Sequence, residues 1–327
     1  MHTGGEPLRI VTKGLPEIKG QTILEKRRYC QENLDDCRKF LMWEPRGHKD
    51  MYGAYLVDRE RLDSHFGVLF VHNEGYGTMC GHATIGLARY AVDQGLVEKD
   101  VNKAETLVKI DCPCGQVKAY VDNSPDWAKR GSVRFLSVPA FAFQLDVEIS
   151  FNDKPIYVDV SYGGAFYIIV RAEQFGMDIA KATTNQMIAA ASTIKKLVNK
   201  LVAVEHPLEH ADLNYISGVI LTKDLTATET MNVVVFAENE VDRCPCGSGV
   251  TSRMALMFAK NQVDVDETIT FISAINGTKF RAKITESNIA DNTTFVTVEV
   301  SGKAHYMGHV EFVLEVDDPL SSGFLPP

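Results

Sequence analysis

Two segments of the chain share one pattern of polar and apolar positions. In Met79-Cys80-Gly81-His82-Ala83 and in Asp242-Arg243-Cys244-Pro245-Cys246-Gly247-Ser248-Gly249, a cysteine stands directly before a glycine and opens a run with helical periodicity. Ile85, Leu87, Ala88 and Tyr90 follow the first; Val250, Met254, Leu256 and Met257 follow the second. The two cysteines are separated by close to half the chain. This predicts two similar lobes, each offering one thiol at the start of a helix, so that the pair could face one substrate from opposite sides.

Around these segments the pattern alternates between short apolar runs and longer helical stretches. Residues 6–11 read as a first strand and 20–43 as a charged helix, broken by Glu44-Pro45-Arg46-Gly47-His48. Strands are expected at 51–57 and 66–72, a helix at about 82–94, and a hairpin around Cys112-Pro113-Cys114-Gly115. The middle, from Val133 to Val170, is strand-rich. Residues 176–203 carry the longest helical pattern, with Ile188, Ala191, Ile194, Leu197 and Leu201 on one face. Strands at 219–222 and 231–236, a helix to about Lys260, and strands near 268–274, 279–284, 294–300 and 309–316 complete the chain. Strands mixed with a few long helices predict α+β lobes rather than a doubly wound sheet.

A length of 327 residues fits two domains of roughly 150 each. The net charge of −9 and the absence of a Lys/Arg-rich run argue against a nucleic-acid surface. No apolar stretch approaches the ~18 residues of a membrane span. The polar start, Met-His-Thr-Gly-Gly-Glu-Pro, leaves no room for a secretory signal, so a cytoplasmic location is expected. Seven cysteines, an odd number in a large chain, fit reduced thiols better than a disulfide framework.

The chemistry follows from where the thiols sit. A cysteine at a helix N-terminus lies near free backbone N–H groups and the positive end of the helix dipole, which lowers its pKa from about 8.5. The amides of Gly81-His82 and Gly247-Ser248 form a cradle for a carboxylate. Two thiols and such a cradle point to proton transfer at the carbon beside the carboxylate, one sulfur removing a proton and the other returning one to the opposite face. No feature calls for a cofactor: no lysine has the surroundings of a pyridoxal Schiff base. Carboxylate neutralisation by helix N-termini must then stabilise the carbanion. Asp242 would pair with a substrate ammonium. A four-thiolate zinc site from Cys112, Cys114, Cys244 and Cys246 is disfavoured, because Cys-x-Cys spacing closes a tetrahedron poorly; no metal is expected.

These motifs jointly resemble the signature of the proline racemase superfamily, which contains proline racemases, 4-hydroxyproline epimerases and trans-3-hydroxy-L-proline dehydratases. The resemblance extends to His2-Thr3-Gly4-Gly5-Glu6-Pro7, Glu44-Pro45-Arg46-Gly47-His48, Gly163-Gly164-Ala165-Phe166-Tyr167 and Ser301-Gly302-Lys303-Ala304-His305-Tyr306. It implies a diaminopimelate epimerase-like fold: two α/β lobes related by an internal pseudo-twofold, with the site in the cleft. The expected lobes are residues 1–138 with a C-terminal return of about 311–327, and residues 139–310. The resemblance further implies Cys80 and Cys246 as the acid/base pair, and substrate contacts from Gly81, His82, Asp242, Gly247 and Ser248. The expected partner is a small imino acid, proline or a hydroxyproline, and the quaternary state a homodimer at most.

Within that family the chain resembles the dehydratases at Asp50-Met51-Tyr52-Gly53-Ala54, at His72-Asn73-Glu74-Gly75-Tyr76 and along the segment ending Asp317-Asp318-Pro319-Leu320. That branch carries threonine where this chain has Cys246. A threonine is too weak an acid or base to complete a two-base inversion, so the carbanion expels a 3-hydroxyl instead. With a second thiol, stereoinversion is the expected outcome and dehydration the alternative. Tyr52 and Phe236 match aromatic walls of the racemase pocket, which suit a plain pyrrolidine ring. Cys244 departs from the usual serine between arginine and proline.

Overall fold

The computed structural model describes residues 1–126, 128–207 and 211–326. Residues 127, 208–210 and 327, which fall within the expected lobes, lie outside the described residues. The chain divides into two compact units, Met1–Val133 with Lys303–Pro327, and Arg134–Gly302.

In the first unit the strands Tyr52–Val57 and Phe66–His72 pair antiparallel, with Tyr52 opposite His72 and Val57 opposite Gly67. Arg9–Val11 adds in parallel to the former, and Tyr76–Gly77 folds back onto the latter. Glu105–Cys112 lies parallel to Phe66–His72 and returns antiparallel through Gly115–Asp122. Helices α1 (Ile23–Asn33) and α2 (Asp35–Met42) link Arg9–Val11 to Tyr52–Val57; α3 (Gly81–Asp93) links Tyr76–Gly77 to Glu105–Cys112. Phe66–His72 is buried along almost its whole length, which explains its unbroken apolar run.

The second unit repeats that connectivity. Ile216–Asp224 and Glu229–Phe236 pair antiparallel, with Gly218 opposite Phe236. Phe166–Arg171 adds in parallel, Glu240–Val241 folds back, Thr268–Ser273 lies parallel, and Lys279–Ala290 returns antiparallel. Helix α4 (Thr184–Val198) lies between Phe166–Arg171 and Ile216–Asp224, and α5 (Gly247–Ala259) occupies the place of α3. The hairpin of Phe141–Phe151 with Lys154–Tyr162 extends one edge. Both α3 and α5 are buried around most of their circumference, Gly81–Arg89 in one and Gly247–Met257 in the other. Such all-round burial marks a core helix. Gly163 lets the chain press on α5: a Cβ there would lie 2.4 Å from the Ser248 carbonyl oxygen and the Ser252 nitrogen. The α+β class expected from the pattern is the observed one.

Three elements differ from expectation. The 20–43 pattern is two helices, not one. Thr22 and Glu25 form a capping box that starts α1, which ends at Leu34. Asp35 then begins α2, its carboxylate gripped by Arg38 at 2.7 and 2.8 Å. Arg38 also donates to the carbonyls of His72 and Asn73 and so ties α2 to the strand end. The 176–203 helix is confined to Thr184–Val198: Gly176, at φ 74, closes a short 3-10 turn, and Thr183 caps with Gln186. The strand expected at 309–316 does not form. Phe312 packs edge-on to Phe40 and under the Arg9 guanidinium, while Val310, Val313, Leu314 and Val316 stay exposed.

Candidate active site

Cys80 caps α3. Its backbone is extended, its carbonyl accepts the Thr84 N–H at 2.9 Å, and its sulfur accepts the Ala83 N–H at 3.4 Å. The loop that delivers it is pinned by the hairpin turn, where Cys114 N–H donates to the Thr78 carbonyl at 3.2 Å. Cys112 and Cys114 are thus hairpin residues, and all seven cysteines are free thiols.

His82 reaches back to the same sulfur, its Nδ1 3.1 Å from Cys80 Sγ. Its Nε2 lies 3.2 Å from the Pro7 carbonyl. A carbonyl can only accept, so Nε2 carries the hydrogen and Nδ1 presents its lone pair to the thiol. Burial holds this ring neutral, with a pKa lowered to about 3. Tyr52 stacks its ring on His72 at 5.8 Å and meets the His82 ring edge-on at 4.9 Å. A Cβ on Gly77 would lie 3.0 Å from the Tyr52 hydroxyl. Cys80, Gly81, His82 and Tyr52 therefore form one cluster in the first unit.

The neutral His82 has a consequence for stability. Between its folded pKa of about 3 and the ordinary 6.5, the unfolded chain binds a proton that the folded chain refuses. Its contribution is complete above pH 6.5 and is lost progressively as pH falls, about 2 kcal/mol by pH 5. His82→Gln is expected to flatten that part of the pH dependence, as urea unfolding at pH 7 and pH 5 would show. Asp242 works in the opposite sense: raised to about 6, it lets the folded chain hold the extra proton, and it is common to both proteins.

In the second unit Cys246 caps α5 with its carbonyl accepting the Val250 N–H at 2.7 Å, but on a different backbone. Its φ is 67° and ψ 104°, outside the regions open to residues with a side chain, at a cost on the order of 1–3 kcal/mol. Sequence reasoning offers no signal for this. The loop is held by short-range bonds: Asp242 accepts the Cys244 N–H at 2.8 Å, and Cys244 Sγ accepts the Cys246 N–H at 3.3 Å. Cys244 is thus a buried acceptor that shapes the turn. Burial raises Asp242 to about 6, opposed by its bonds to Cys244. Burial, followed by the charge of Asp242, pushes the Cys246 thiol well above its usual range.

Ser248 places its Oγ 3.8 Å from Cys246 Sγ, as His82 places its Nδ1 near Cys80 from the equivalent helix position. Phe236 packs on the apolar cluster that contains Cys246, Tyr167 and Ile220. Cys246, Gly247, Ser248, Asp242 and Phe236 are therefore gathered in the second unit. Gly81 and His82, like Gly247 and Ser248, occupy the first turns of their helices, where amides have no intrahelical partner. Two contributors were not singled out from the sequence as site residues. Pro7, inside the His2–Pro7 motif, fixes the His82 tautomer; Tyr167, at the end of the Gly163–Tyr167 motif, touches Cys246.

Each of the two repeated α+β units thus carries a buried thiol at the head of a buried helix. Residues 1–325 match the family model for proline racemase, and the chain belongs to that family. Trans-L-3-hydroxyproline dehydratase from Xenopus tropicalis is 49% identical over 99% of this chain and 93% of its own length. The 3-hydroxyproline 2-epimerase of Burkholderia multivorans is 39% identical over 99% and 96%. The crystal structure of a hydroxyproline epimerase from Agrobacterium vitis, with bound trans-4-hydroxy-L-proline, superposes with a TM-score of 0.87 at 25% identity, covering 99% of this chain and 94% of that one. These relatives are enzymes, lyase and isomerases, and this chain is an enzyme of their family. Among the described residues no helix is long and apolar enough to cross a membrane.

Proposed function

We propose that the chain is a cofactor-independent racemase or epimerase that inverts the α-carbon of proline or a hydroxyproline, with Cys80 and Cys246 serving opposite faces of that carbon. The observation that carries the reading is the second thiol: Cys246 stands at the head of α5 where Cys80 stands at the head of α3. Helix-start amides from Gly81, His82, Gly247 and Ser248 would take the substrate carboxylate, and the buried Asp242 the substrate ammonium. The protonation states favour one direction of assembly. Burial, with the charge of Asp242 beside it, keeps the Cys246 sulfur protonated, as an acid; Cys80, with the Ala83 amide on it, is the base in the opening half-reaction. A cytoplasmic setting, where seven thiols stay reduced, suits this chemistry.

Dehydration of trans-3-hydroxy-L-proline is the second reading, favoured by the 49% identity to a protein of that name. Incubation in D₂O separates the two. Inversion gives the opposite α-epimer carrying α-deuterium from L-proline or a hydroxyproline; dehydration gives pyrroline-2-carboxylate from the 3-hydroxy substrate alone. Finding neither α-deuterium exchange nor pyrroline-2-carboxylate with any of these compounds would sink both.

A further inference from the structure

Around Cys246 three side-chain groups lie within hydrogen-bonding reach of one another. The Tyr167 hydroxyl is 2.8 Å from Ser248 Oγ, Cys246 Sγ is 3.9 Å from the Tyr167 oxygen, and Sγ is 3.8 Å from Ser248 Oγ. Tyr167 comes from the strand Phe166–Arg171, opposite Gly218, and is buried with Cys246 in one apolar cluster. Beside Cys80 stands an imidazole instead. There the neutral His82 ring spends its only N–H on Pro7 and offers the sulfur a lone pair, so the Ala83 amide supplies the donor.

The difference is chemical. A ring lone pair can accept from a thiol but cannot bond to a thiolate. Two hydroxyls can do either, by rotating about their C–O bonds. We infer that Tyr167 is the positioning residue of the second thiol: its hydroxyl accepts from Cys246 when the sulfur carries a proton and, together with Ser248, turns to donate to the sulfur once that proton has gone. This rests on the acid–base reading proposed above. In that cycle the proton leaves Cys246 Sγ for the α-carbon, the S–H bond breaking as the C–H bond forms. The phenol keeps its own proton throughout, since burial, with the nearby sulfur, raises its pKa. The other groups facing this sulfur are Asp242, Cys244 through its loop bond, and the Gly249 amide, which favours the thiolate. Asp242 opposes ionisation, so the hydroxyl pair offsets a carboxylate that the site retains for its substrate.

The test reads the sulfur directly. In the substrate-free full-length protein, iodoacetamide alkylation of each cysteine is followed by peptide mass spectrometry across a pH series. Tyr167→Phe is expected to raise the apparent pKa of Cys246 by about one unit, the effect of one hydrogen bond to a charged group, and to leave the Cys80 profile unmoved. In turnover kcat should fall about tenfold with KM nearly unchanged. Replacing Tyr167 with 3-fluorotyrosine, which keeps the ring and makes a stronger donor, should shift Cys246 the other way, and it decides the matter if the phenylalanine variant does not fold. Overlapping Cys246 profiles in wild type and variant overturn the inference, even if imino-acid inversion proceeds. A shift in that profile upholds it even if no imino acid is turned over, in which case the functional reading alone falls.

Discussion

Cys80→Ala is expected to lower kcat/KM for inversion at least a hundredfold, the lower end of what a positioned acid or base contributes. Alanine leaves α3 and its cap carbonyl in place, since the Thr84 bond is to the backbone of residue 80, and removes the sulfur together with the Ala83 N–H bond it accepts. The same substitution at Cys246 should stop inversion as fully but by a different route. With Cys80 intact, the α-proton of the enantiomer it addresses can still wash out into D₂O and return on the same face. Proton NMR in D₂O follows exchange, and polarimetry follows inversion. Retention of more than about a tenth of wild-type inversion by either variant would show that the sulfur in question carries no proton in the reaction.

Much of this arrangement was legible in the chain. The cysteine–glycine pairs announced the heads of α3 and α5, because burial on nearly all sides leaves most positions of these helices small or apolar. The strands Phe66–His72 and Glu229–Phe236 were visible as apolar runs for the same reason. What the pattern missed were boundaries decided by local polar bonds. Leu34 gives no breaking signal, and the division of α1 from α2 depends on Asp35 being gripped by Arg38. The start of α4 was readable in Thr183 and Gln186 as a capping box, yet apolar periodicity ran past it to Gly176. The 309–316 segment alternates like a strand but makes no ladder; Phe312 packs edge-on to Phe40 and His309 lies against Tyr306. At the site, residue identities were readable and their inequality was not. Two cysteines that look alike in sequence sit on different backbones, one at φ −146° and one at φ 67°, with an imidazole beside one and two hydroxyls beside the other.

That inequality gives Cys246→Thr its interest. Inversion is expected to fall at least a hundredfold, as for the alanine variant, because an alcohol at this position neither gives up nor takes on a proton near neutral pH. Formation of pyrroline-2-carboxylate from trans-3-hydroxy-L-proline should survive. Cys80 still removes the α-proton, and the carbanion is discharged when the C–O bond to the 3-hydroxyl breaks; the departing oxygen takes the proton it needs to leave as water from the Cys80 thiol or from solvent, and none from residue 246. The substitution is not isosteric in backbone terms. A β-branched residue at φ 67° is strained, so a loss of about 1 kcal/mol in stability is expected and a thermal melt must accompany the assay. Catalysis and strain are separable because strain would depress both reactions together, whereas loss of the acid depresses only inversion. Should the folded threonine variant still invert L-proline at more than about a tenth of the wild-type rate, the second thiol is not what sets the outcome on this scaffold. Should it lose elimination along with inversion while remaining folded, Cys246 must take part in departure of the hydroxyl as well, protonating the leaving oxygen from the thiol that Asp242 holds in its neutral form.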